Sequence, residues 1–278
     1  MIERLTNQRR WLAAQLVAVL AVLGAGIGGA VWFPASAPSA LHTTTNARVL
    51  VEQAVTRITT VGTFRMTFEF EIGIHGGRTV KTRGTGLVDI VRNVQTGEFD
   101  IPGFGKLSIR QVGARAYLGV PGGRADALGH HWIGIPVKGA ASFGSQDPLQ
   151  LLRALSDSSG VENKGSEKVA GVPTTHYRVV LDAQRLIAAA QANGSTQPVP
   201  ASVASQFKDG RADLWIDAKS LPRRMRLSFG TAQVSFRFQF QFADYGGDVR
   251  VTEPPATDVT PAPTMQAAIL DIQGFLHR

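Results

Sequence analysis

The chain contains no cysteine. Disulfides, thiol catalysis, cysteine-based zinc sites and lipid attachment through an N-terminal cysteine are therefore excluded. Charge is sparse, at 18% of residues, against roughly 25% in ordinary globular chains. No Gly-x-Ser-x-Gly elbow is present, so the usual serine hydrolase is not expected. The glycine-rich spots Pro102–Gly105 and Gly119–Gly123 fall between predicted strands. A phosphate loop needs a strand that leads into a helix N-terminus. The basic excess of +8 is scattered and forms no stripe with interleaved aromatics, so nucleic acid is not an expected partner. No internal repeat emerges. No enzyme activity, cofactor or metal is expected from this pattern.

What the chain does have begins at its N-terminus. Trp11 to Phe33 is an apolar run with Gln15 as its one strongly polar member. At helical rise it spans a hydrocarbon core about 30 Å thick. Arg4, Arg9 and Arg10 precede it, and the next basic residue with a fixed charge is Arg48. The positive-inside rule places residues 1–10 in the cytoplasm and the bulk of the chain outside. The run exceeds the usual h-region, so an uncleaved single-pass anchor in the cell membrane is the expectation. The alternative is secretion after signal-peptide cleavage near Ala35-Ser36-Ala37 or Pro38-Ser39-Ala40.

Two stretches dominate the exported part. Phe64, Met66, Phe68, Phe70, Ile72 and Ile74 alternate with Arg65, Thr67, Glu69, Glu71 and Gly73. Val234, Phe236, Phe238, Phe240 and Phe242 alternate with Ser235, Arg237, Gln239 and Gln241. Period-two alternation predicts strands with one aromatic and one wet face. An apolar strand face is usually core. Here the predicted helices are few and short, which leaves room for a cavity under a curved sheet.

Between these stretches the sequence predicts an antiparallel meander. A helix over about 46–59 carries an apolar stripe of Ala47, Leu50, Val51, Ala54 and Ile58. Gly62 ends it. Strands follow near 78–91, with Gly84 and Gly86 marking a bend or bulge, then near 97–101, 106–112, 115–119 and 132–136. Asp147-Pro148 opens a second helix. A hairpin at 161–182, short helices near 183–191 and 200–207, and strands at 211–217, 222–229 and 232–242 complete the pattern. A further strand is expected at Val249–Thr252. The Pro/Thr-rich segment 256–263 is expected to be extended. Met265, Ala268, Ile269, Ile272 and Leu276 predict a terminal amphipathic helix.

The titratable groups have quieter readings. His130-His131 is expected in an exposed loop and His176 in a structural hydrogen bond. Glu69 and Glu71 are expected to pair with a neighbouring strand's arginine. Arg223-Arg224 fits either a surface basic pair or a contact with lipid head groups.

The order of LVEQAVTRITTVGTFRMTFEFE, GTGLVDIV, KLSIRQVGARAYLGVP, DPLQLLRAL, VAGVPTTHYRVVLD, LWIDAKSLPRRMRLSF and FQFADYGGDVRVTEPP resembles the LppX/LprG family of actinobacterial lipoproteins, which have a LolA-like fold. The resemblance covers about 46–256. It implies an α+β fold: a strongly curved antiparallel half-barrel with helices on its concave side. It also implies binding of a lipid or lipoglycan in an apolar cavity, for transport or sequestration in the cell envelope. Phe64, Met66, Phe68, Phe70, Val234, Phe236, Phe238, Phe240 and Phe242 are the candidate cavity residues. This chain departs from the family in lacking the acylated lipobox cysteine, and an anchoring helix takes its place. The expected division is a cytoplasmic N-terminus at 1–10, an anchor at 11–33, a linker at 34–45, the domain at 46–256 and a tail at 257–278. The competing reading is an envelope sensor or interaction module with a filled core, acting through a membrane protein partner.

Overall fold

The computed structural model describes residues 44–75, 77, 79–101, 105–120, 125, 128–136, 161–181, 208–264, 267–268 and 271–272. The expected anchor Trp11–Phe33 and the helices expected near 147–156, 183–191 and 200–207 lie outside the described residues. Among the described residues, no helix is long and apolar enough to cross a membrane.

One helix, α1 (Thr44–Val61), leads into β1 (Thr63–Ile74). Gly62 makes the transition with φ +78°, and its N–H donates to the Ile58 carbonyl at 3.0 Å. A left-handed residue at this place closes a helix at little cost only when it is glycine. The expected stripe is largely realised: Val51, Ala54 and Ile58 are fully buried.

The strands are β2 (Thr79–Asp89), β3 (Val94–Ile101), β4 (Gly105–Val112), β5 (Arg115–Gly119), β6 (Trp132–Pro136), β7 (Val161–Val169), β8 (Val172–Leu181), β9 (Lys208–Asp217), β10 (Pro222–Gly230), β11 (Val234–Ala243) and β12 (Val259–Pro261). They form one open, curved sheet in the order β12-β6-β5-β4-β3-β2-β1-β11-β10-β9-β8-β7. Every pairing is antiparallel except β12 with β6. The two aromatic strands are direct neighbours, with Phe68 opposite Phe240 and Phe70 opposite Phe238. Register then aligns the apolar sets of the other strands with them. Met225 and Leu227 lie opposite Phe240 and Phe238, Leu214 lies opposite Met225, and Tyr177 lies opposite Leu214.

Gly84 and Gly86 mark a bend and not a bulge, because register runs through both without a shift. A Cβ at Gly84 would stand 2.0 Å from Phe68 Cζ, and one at Gly86 would stand 2.8 Å from the Thr96 carbonyl oxygen. Side chains there would collide across the fold of the sheet, and glycine permits the curvature.

Two further expectations need correction. Val249–Thr252 is not a strand. Arginine side chains take up its backbone instead: Arg92 Nη2 donates to the Val249 carbonyl at 2.7 Å and Arg110 Nη1 to that of Thr252 at 3.3 Å. Residues 259–261, assigned from sequence to the tail, extend the sheet as β12. The Ala262 N–H also donates to the Gly134 carbonyl at 2.8 Å. Beyond it, Ala262, Ala268 and Ile272 are buried with Phe99, Leu107, Ile109, Leu118, Ile133 and Ile135.

Asp89 fastens the β2–β3 turn. Its carboxylate is buried and accepts the Arg92 backbone N–H at 2.8 Å and the Arg92 Nε at 2.5 Å. Burial pushes its pKa up, but the Arg92 hydrogen bonds and charge outweigh that, so the folded-state value lies below the ordinary one. The contribution to stability is therefore full above an unfolded pKa of about 4 and fades as pH falls through the lower folded value. Asp89→Asn is expected to cost about 1–2 kcal/mol at pH 7, the worth of a charge-assisted bond whose arginine is more than half exposed. Urea melts at pH 7 and near pH 3 should show the difference between the two proteins shrinking at the acid end.

Candidate apolar binding face

Alternation along each strand gathers the apolar side chains on one face. On this face Phe64, Phe70, Phe238, Phe240 and Phe242 are buried. Met66, Phe68, Val234 and Phe236 are only partly so. All nine candidate residues thus share one face, but they fall into two environments. The buried set packs ring on ring: Phe64 meets Phe242 edge-on at 5.7 Å and Phe70 meets Phe238 at 4.6 Å. Together with Val51, Ala54 and Ile58 of α1 it forms a core that extends across β7–β11. Of the partly covered set, Phe236 and Val234 lie opposite Ile72 and Ile74 at the end of β1 remote from Gly62, where Ile74 is 45% exposed, while Met66 and Phe68 lie on the Gly62 side of the buried Phe70–Phe238 pair. Phe68 meets Phe99 at a tilt, with ring centroids 4.7 Å apart, and touches both the α1 core and the C-terminal cluster.

The floor between the two clusters has no side chains of its own, and the Phe68 ring lies over it at Gly84. Gly84, Gly86 and Gly97 occupy its inward positions. Thr82 is the next inward residue, opposite Phe70. It is 2% exposed and its Oγ1 has no hydrogen-bond partner. The sequence reading passed over it, although the series Val80, Thr82, Gly84, Gly86, Val88 shows a hydroxyl among inward positions.

The opposite face is polar and paired. Glu71 bridges Lys81 at 2.9 Å and Arg237 at 3.3 Å, and Glu69 binds Arg83 at 2.9 Å. The cross-strand role expected for both glutamates is what the geometry shows. His176 has the structural role expected. Its Nε2 lies 2.8 Å from Asp213 Oδ1, and its ring stacks on Trp215 at 4.4 Å. Arg223 and Arg224 are not an exposed pair. Arg223 Nη2 lies 2.7 Å from Asp217, and Arg224 sits 5.1 Å above the Trp215 ring. His131 lies in an exposed bend, as expected, and there faces Asp258 Oδ1 at 2.8 Å. His131 holds the Asp258 carboxyl below its ordinary pKa through backbone and side-chain hydrogen bonds. Among the described residues no cluster of three or more metal-ligating side chains occurs. A shallow groove of about 540 Å³ lies between the polar side of α1, at Glu52 and Arg57, and Lys219. It is open to solvent and does not include the aromatic face.

No family model matches the chain. The chain is similar to lipoprotein LppX of Mycobacterium tuberculosis, at 12% identity and a TM-score of 0.44 over 74% of this chain and 98% of that one. It is similar to LprF of Mycobacterium bovis, at 11% identity and a TM-score of 0.46 over 79% and 99%. A LolA-superfamily protein of Nitrosomonas europaea aligns at 9% identity and a TM-score of 0.29 over 73% and 94%. In sequence, an uncharacterized 31.2 kDa protein of Streptomyces griseus is 28% identical over 155 residues, 48% of this chain. The match spans about half of that relative, 49% of its length.

Proposed function

We propose that the chain is an exported protein, held at the cell membrane by Trp11–Phe33, that binds a lipid or lipoglycan against the apolar face of its sheet. One observation carries this reading. The aromatic face continues past its covered Phe70–Phe238 pair into a partly exposed stretch of Ile72, Ile74, Val234 and Phe236 at the end of β1 remote from Gly62. Apolar surface left in water is costly, and burying it against acyl chains recovers about 25 cal/mol per Å². A contiguous exposed apolar patch of this kind marks a binding surface. The favoured activity is sequestration or transfer of that ligand.

Native mass spectrometry of residues 41–278, purified without detergent from an actinobacterial host, tests the proposal. The expected result is a stoichiometric adduct that organic extraction releases as an acyl-chain lipid. A bare protein mass, with no uptake of added lipid, would count for a filled core and an interaction module instead.

A further inference from the structure

The apolar face carries a buried hydroxyl that the fold does not use. Thr82 Oγ1 is unpartnered and 2% exposed. Its cross-strand neighbour is Phe70, and Val80 and Gly84 flank it on the same face of β2. The large majority of buried side-chain hydroxyls in native proteins are paired. Valine would fill this position at nearly the same volume and fit the face better. Lys81 and Arg83, the charged residues beside it in sequence, belong to the opposite face, where Glu71 and Glu69 engage them. No described cation stands on the apolar face to receive a buried anion, so a carboxylate or phosphate at Thr82 would be left unpaired. A neutral carbonyl meets one hydroxyl donor without that penalty.

Resting on the lipid-binding reading, we infer that Thr82 is a specificity residue that donates a hydrogen bond to a neutral carbonyl of the bound lipid, an ester or amide linking an acyl chain. The ligand class is then an acyl-linked lipid, as distinct from a free fatty acid or a bare hydrocarbon.

The test uses the full-length chain held in amphipol and two fluorescent glycerolipids that differ only at the linkage, one an ester and one the matching ether. The ether keeps the chains and lacks the carbonyl. Wild-type protein is expected to bind the ester about five- to tenfold more tightly, the worth of one neutral hydrogen bond. Thr82→Val should bring the ester down to the ether's affinity and leave the ether unchanged, while Thr82→Ser should keep the preference. The Thr82→Val protein should melt no lower than wild type, since it loses only an unsatisfied group. Equal binding of both probes by wild type, or an ester preference that survives in Thr82→Val, would overturn the assignment while leaving the carrier reading in place. Failure of wild type to bind either probe would overturn both.

Discussion

A chain carrying Phe238→Asp is expected to lose its cooperative thermal transition. Phe238 is buried in the middle of β11, with the Phe70 ring at 4.6 Å and the Phe229 ring at 5.7 Å. Removing such a ring costs roughly 3–5 kcal/mol in cavity and transfer terms. The new carboxylate would also be buried without a partner, because Leu227 and Phe70 are its cross-strand neighbours. That adds several kcal/mol or forces the group to take up a proton. The sum rivals the whole stability of a domain, about 5–15 kcal/mol. Near-ultraviolet circular dichroism through a melt reads the outcome. Phe238→Leu, which keeps an apolar side chain, should cost only about 1–2 kcal/mol and still fold. A Phe238→Asp protein that melts like wild type would remove this residue from the packed core.

Ending the chain after Pro255 is the second change with a large expected effect. It deletes β12 and the three buried residues Ala262, Ala268 and Ile272. The face of β4–β6 would then be bare over Leu107, Ile109, Leu118, Ile133 and Ile135, all of them buried in the intact protein. Ile272 alone, at 1% exposure, is worth roughly 2–5 kcal/mol on truncation to alanine. Hydrogen exchange should show β4–β6 losing protection while β8–β10 keep theirs, since the latter are covered by the α1 cluster. Ile272→Ala in the full chain should reproduce part of the loss. Unchanged protection in both proteins would mean that the C-terminal segment adds nothing to the core.

Most of the sheet was readable because its signal is local. The alternation over Phe64–Ile74 and Val234–Phe242 fixes face and length for β1 and β11 without knowledge of the partner. Their adjacency was not readable, since pairing across the whole domain leaves no trace in a short window. β12 was hidden for a different reason. Three residues in a Pro/Thr-rich stretch make no pattern, and a parallel edge pairing is set by the neighbour and not by propensity. Val249–Thr252 failed the other way: its composition suits a strand, but Arg92 and Arg110 supply its hydrogen bonds in place of a ladder. Of the candidate site, the aromatic residues were legible as one face. Which of them α1 covers was not, because that depends on where the helix comes to rest. Trp215, 3% exposed on the polar face, gave no sequence signal. Its burial comes from His176 and two arginines contributed by the neighbouring strands.

If the chain is exported as proposed, the central position of β1 also governs the order in which it can assemble. An exported chain emerges from its N-terminus, so β1 arrives with the first strands, and β2 follows at once to cover one of its edges. The other edge waits for β11: Glu71 and Arg237, which meet across that seam, are 166 residues apart in the chain. The β4–β6 leaf waits longer still, because its cover is among the last residues to emerge. Non-local closure of this kind is slow and leaves apolar strands uncovered meanwhile. Aggregation before closure, more than the stability of the finished molecule, is therefore the hazard this topology carries, and for an exported chain a chaperone outside the membrane that shields aromatic strands would act on it in that interval.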